Sequence, residues 1–129
     1  MLRKLGLTLL CAAGVWSSHV SANTIILGGG LKYPVDLPFN DPQTLYNPVS
    51  WIIKATCTVT HGAPVNKVRV VMKASTAKFN GEDLVVGKEI TKDINTGDSF
   101  KIEAKGGAMV ELTNDNESQE IIHAYCTAP

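Results

Sequence analysis

The chain has 129 residues, 44% of them hydrophobic and 19% charged, and twelve basic side chains balance twelve acidic ones. A neutral total offers no electrostatic case for nucleic acid. The length allows one domain around one core.

The first predicted element is a targeting signal. Arg3 and Lys4 supply a positive start, and Leu5 to Val15 form an apolar run too short to cross a bilayer comfortably. Val20-Ser21-Ala22 is a small-residue cleavage site, so residues 1–22 read as a signal peptide and the mature chain begins at Asn23. A lipoprotein modified at Cys11 is the alternative, but Leu10 stands where that processing wants a small residue. Losing Arg3 and Lys4 leaves ten bases against twelve acids, a mature charge of −2. No later stretch is apolar for the ~18 residues that a membrane helix needs, so no transmembrane segment is expected. The destination is the periplasm or the exterior.

Residues 23–49 read as a short strand followed by a proline-rich arm. Thr24-Ile25-Ile26-Leu27 is stopped by Gly28-Gly29-Gly30, and Pro34, Pro38, Pro42 and Pro48 follow. Each proline fixes φ and removes a donor, which argues against helix or central strand. Tyr33, Phe39 and Tyr46 either anchor this arm across a sheet edge or present a recognition surface.

Residues 50–129 read as the core domain. Ile52-Ile53-Lys54-Ala55-Thr56-Cys57-Thr58 returns near the end as Ile121-Ile122-His123-Ala124-Tyr125-Cys126-Thr127. Period-two alternation puts Trp51, Ile53, Ala55, Cys57 and Val59 on one face of the first copy. Ile122, Ala124 and Cys126 share a face of the second. His61-Gly62-Ala63-Pro64 is a turn by composition. Val65 to Ala74 alternates, with Lys67, Arg69, Val71 and Lys73 opposite Val68, Val70 and Met72. Asn80-Gly81 is a strong hairpin signal, followed by the apolar Leu84-Val85-Val86 and a loose alternation over Lys88 to Ile94. Asn95-Thr96-Gly97-Asp98 turns the chain into the strand of Phe100, Ile102 and Ala104. After Gly106-Gly107 come Ala108, Val110 and Leu112, and Asn114-Asp115-Asn116-Glu117 reads as a last hairpin turn.

No window holds apolar residues at helical spacing for three turns. About seven or eight short strands with regular turn signals predict an all-β, immunoglobulin-like antiparallel β-sandwich, with a small β-barrel as the alternative. Trp51 precedes the first cysteine, and Tyr125 stands one residue before the second, both departures from the immunoglobulin pattern. Cleavage leaves two cysteines, Cys57 and Cys126, an even number in an exported chain, which argues for a disulfide over two free thiols.

Little in the sequence carries chemistry. The histidines of the mature chain are His61 and His123, read as turn chemistry and as a solvated strand residue. No nucleophile elbow, HExxH, CxxC or P-loop pattern occurs, so no catalytic residue, metal ligand or cofactor is assigned. Asn114 to Glu117 would suit calcium but also suits a turn. Asn116-Glu117-Ser118 matches a glycosylation acceptor, incidental behind a bacterial leader. The electrostatic feature above background is the stripe of Lys67, Arg69 and Lys73. Its partner would be an anionic lipid headgroup, glycan or host protein, and the competing reading is protection of an exposed sheet edge.

The stretch from Ala55-Thr56-Cys57-Thr58-Val59 through Phe79-Asn80-Gly81, Gly97-Asp98-Ser99-Phe100 and Val110-Glu111-Leu112-Thr113-Asn114 to Ala124-Tyr125-Cys126 resembles small exported proteins of intracellular gammaproteobacteria. Some of those are substrates of the type II secretion system. The resemblance spans roughly residues 50–128. It implies a secreted, disulfide-linked β-sandwich acting on or in a host, and it carries over no catalytic residue. The expected function is therefore a secreted, non-catalytic binding protein. A structural or accessory periplasmic protein is the alternative.

Overall fold

Residues 24–28, 30 and 32–128 are described by a computed structural model. The expected signal peptide and the cleavage point lie outside them. The described residues form eleven strands and no helix. These are β1 (Thr24–Ile26), β2 (Lys32–Leu37), β3 (Gln43–Tyr46), β4 (Ile53–His61), β5 (Val65–Ala74) and β6 (Thr76–Phe79), then β7 (Glu82–Val85), β8 (Glu89–Asn95), β9 (Ser99–Ala104), β10 (Met109–Asn114) and β11 (Ile122–Thr127). Five make one sheet in the order β1-β3-β10-β5-β8, and six make another in the order β2-β11-β4-β9-β6-β7. Every pairing is antiparallel except the parallel β1–β3. Both sheets are open at their ends, so the fold is a β-sandwich and not the barrel.

Alternation builds the core. Val68, Val70 and Met72 of β5 and Val110 and Leu112 of β10 point inward from the five-stranded sheet. Phe79, Leu84, Ile102, Ile122 and the two cysteines do so from the six-stranded sheet. Each fully buried large side chain contributes about 1.5–3 kcal/mol of transfer free energy. Phe79 and Phe100 add a stacked pair with centroids 5.1 Å apart.

Four expectations are corrected. The proline-rich segment is no ladderless arm, because β2 and β3 take up much of it and Leu27, Val35, Leu37 and Leu45 join the core. Pro34 is tolerated because β2 is the outer strand of its sheet, where a missing N–H breaks no ladder. Pro42 and Pro48 bracket β3 without entering it. Second, the strands of the described residues number eleven rather than seven or eight; the arm hides two, β2 and β3, and β6 follows β5 after Ser75 alone. Ser75 at φ 61° lets the chain leave one sheet for the other in a single step. Third, Trp51 precedes β4 and is 66% exposed, not part of its buried face. Fourth, Asn114 to Glu117 opens a crossover between sheets rather than a hairpin, since β10 and β11 belong to different sheets.

The two near-copies are neighbours. β4 and β11 pair antiparallel with Cys57 directly opposite Cys126, and a disulfide joins them at a Cα separation of 4.0 Å. The bridge thus staples adjacent strands of one sheet, whereas the immunoglobulin disulfide crosses between sheets. It closes a loop of 69 residues, worth about 4 kcal/mol in the chain-entropy model.

At one end of the sandwich a buried amide network fixes the crossovers. Asn66 Oδ1 accepts from Ala63 N at 2.9 Å and from Asn116 Nδ2 at 3.0 Å, while Asn66 Nδ2 donates to Ile94 O at 3.0 Å. Asn116 Oδ1 accepts from Lys67 N at 2.7 Å, and Asn114 Oδ1 accepts from Asn116 N at 2.8 Å. Asn114 Nδ2 donates to Leu37 O and Glu120 O at 2.8 and 2.7 Å. Buried polar groups paired this fully lock one arrangement of the loops.

Candidate functional site

Lys67, Arg69 and Lys73 project together from the outer face of β5, as period two requires. The strand lies between β10 and β8, so edge protection is not its role. Nor is the stripe an unopposed positive field. Arg69 grips Asp115 with both carboxylate oxygens, Nε to Oδ2 at 3.0 Å and Nη2 to Oδ1 at 3.2 Å. Those bonds, with weaker attraction from Glu89 and Glu111, raise the guanidinium pKa further. Asp93 stands opposite Lys67 in the register of β8. The asparagines whose type suits calcium are spent on the amide network, and Asn116, at 3% exposure, is closed to a glycosyl donor.

The structure instead brings together residues that sequence patterning kept apart. On the outer face of the six-stranded sheet, Asp36 of β2, His123 of β11 and His61 of β4 stand in register across three strands. The next row is Pro34, Tyr125, Thr58 and Ser99, and the row after it Lys32, Thr127, Thr56 and Lys101. Strict alternation along β4 would turn His61 inward, in phase with Cys57 and Val59. A bulge prevents this: the register steps from Val59 opposite Ala124 to His61 opposite His123, with Thr60 as the extra residue. His61 is thereby exposed beside His123, the kind of re-aiming that bulges perform.

The side chains are held by one another. His123 Nδ1 lies 2.8 Å from Asp36 Oδ1, and His61 Nδ1 lies 3.2 Å from Thr60 Oγ1. Thr60 Oγ1 donates to His123 O at 3.2 Å. The two imidazoles meet edge to face, centroids 6.0 Å apart and planes at 84°. Tyr125, 44% exposed, walls a trough of about 670 Å³ together with Pro34, Asp36, Thr60, His61 and His123. Lys32 Nζ sits 4.6 Å from the centroid of the Tyr125 ring, a cation–π contact. Thr58 and Ser99 share a hydroxyl hydrogen bond of 2.8 Å on the same face.

This arrangement presents hydrogen-bonding groups rather than an activated nucleophile. The hydroxyl against His61 gives its one proton to a carbonyl, and the two cysteines are oxidised. Over these rows, Lys32 and Lys101 outnumber the carboxylate Asp36. No family model, curated protein or solved structure matches the chain.

Two signals could have located the site. One was the near-repeat: pairing its copies antiparallel about the cysteines sets Tyr125 against Thr58 and His123 against Thr60 and His61. The other was Asp36, whose place beside His123 depends on β2 being a strand, which its proline obscured.

Proposed function

We propose that the chain is an exported, non-catalytic binding protein that recognises an acidic glycan outside the cell that makes it. The observation that carries this reading is the exposed Tyr125 ring amid hydroxyl, imidazole and ammonium groups on one rigid sheet face. An aromatic wall packs against the apolar C–H face of a sugar ring. Oriented Thr, Ser and His groups bond its hydroxyls, while Lys32 and Lys101 attract its carboxylates. The leader-like first residues, the disulfide and the resemblance to exported proteins of intracellular bacteria support a host-facing location. This ligand face replaces the Lys67, Arg69 and Lys73 stripe, whose central cation is already paired.

Shallow polar sites of this kind bind weakly, with a Kd between about 1 μM and 1 mM. The test is a glycan array followed by titration of the best uronate-bearing oligosaccharide. Binding should weaken with salt, since the lysines are exposed. Tyr125→Ala should lose at least tenfold, and Lys67→Glu should bind as the parent does. A Tyr125→Ala variant that binds unchanged, or preference for neutral glycans or anionic vesicles, overturns the reading. Binding to none of these, with retention in the periplasm, would favour an accessory role there.

A further inference from the structure

The geometry points to a transition-metal site formed by His61 Nε2 and His123 Nε2, suited to Cu2+, Ni2+ or Zn2+. The inference concerns the same trough but does not depend on a glycan ligand. Its basis is the tautomer that each ring must adopt. A carboxylate accepts hydrogen bonds and donates none, so the Asp36 contact at 2.8 Å requires the proton on His123 Nδ1. Thr60 has one hydroxyl proton, which goes to His123 O at 3.2 Å, so Thr60 Oγ1 must accept from His61 Nδ1 at 3.2 Å. In both neutral rings Nδ1 then carries the hydrogen and Nε2 the lone pair. Two unprotonated nitrogens on neighbouring strands are what a borderline metal ion takes.

Distances agree. An ion about 2.0–2.1 Å from each nitrogen sets two ring centroids roughly 5–6 Å apart, and here they are 6.0 Å apart. Asp36 is a positioning residue: as the carboxylate behind a ligating imidazole, it fixes the ring and raises its basicity. Among the described residues no group of three or more His, Cys, Asp or Glu side chains is placed to hold a metal ion. The ion therefore has two protein ligands, with its remaining positions open to water or to oxygen atoms of a bound molecule. The bulge at Thr60 is the element that creates the pair, since an unbulged β4 would bury His61.

Calorimetric titration of the purified protein with CuCl2, NiCl2 and ZnCl2 in a non-coordinating buffer tests the site. One equivalent should bind, with copper tightest. His61→Ala and His123→Ala should each lose at least tenfold in affinity. Asp36→Ala should lose about tenfold or more, and Asp36→Asn, which still offers Nδ1–H a carbonyl oxygen, should fall between it and the parent. Long-range proton–nitrogen correlation spectra of the metal-free protein should show Nδ1 protonated and Nε2 bare in both rings. Melting curves identify any variant that fails to fold, and the spectra of the parent protein test the site regardless. No binding at millimolar metal, parent-like affinity in either histidine variant, or a proton on either Nε2 overturns the site. Glycan binding measured in EDTA separates the two readings: its survival alongside failed metal titrations sinks this one alone. Absence of glycan binding both with and without EDTA, alongside intact metal binding, sinks only the glycan.

Discussion

Tyr33 is a residue whose two halves pull in different directions. Its ring packs against the core from β2, but its hydroxyl is buried with no hydrogen-bond partner among the described residues. Burial raises the phenol's pKa above its ordinary value. The unfolded chain therefore releases this proton at a lower pH than the folded one. Above the ordinary phenol range of ~10 the unfolded state binds fewer protons, so this group's contribution to stability falls as pH rises. Tyr33→Phe should remove that alkaline loss and, by deleting an unsatisfied hydroxyl, raise stability by up to about 1 kcal/mol at neutral pH. Urea midpoints at pH 8 and pH 10.5 for both proteins would check it; a clear loss at pH 8 would mean that the hydroxyl has a partner after all. Asn66 is the opposite case, a buried amide with every bond used. Gly62 is kept small by it, because a Cβ there would collide with Asn66 Oδ1, whose position is fixed by Ala63 and Asn116. Gly62→Ala should cost about 1–3 kcal/mol through the broken network, read as a lower thermal midpoint.

Elements were legible where one face is buried and the other wet. The Val65–Ala74 strand matches β5 in full, and Phe100, Ile102 and Ala104 point inward from β9 as their alternation requires. The cysteine strands were legible for the same reason. What escaped was whatever depends on a neighbour. Proline content speaks against a ladder, yet Pro34 only demands an edge, and which strand forms the edge is decided by the whole sheet. The site escaped because His61 and His123 are 62 positions apart and meet only through a pairing and a bulge. β3 gives a direct test of the corrected arm. It is an interior strand between β1 and β10, so the amide of Leu45 should exchange with solvent only on global unfolding. Exchange of Leu45 as fast as that of an exposed loop would restore the arm to a loose appendage. Cys57→Ala should cost about 2–5 kcal/mol, measured by urea unfolding against the oxidised parent. Reagent labelling of both thiols without reduction would remove the premise.

At the scale of the molecule, the chain weaves between its sheets instead of finishing one before starting the other. β4 pairs with β9 and β11, while β10 runs in the opposite sheet beside β5 and β3. Few contacts can form early, and folding on the millisecond-to-second scale of non-local β-proteins is expected in stopped-flow mixing. The cystine also changes how the molecule answers a pull on its two ends. Tension entering from either terminus meets the Cys57–Cys126 bond before it reaches the strands from β5 to β10, so those strands bear no load while the bond is intact. In a force-extension experiment the oxidised chain should lengthen only by what lies outside the 69-residue span. Reduction should then release a further roughly 230–250 Å of contour, at 3.3–3.6 Å per residue. A chain pulled by its ends thus keeps its enclosed strands slack, and the staple acts as a strain limiter.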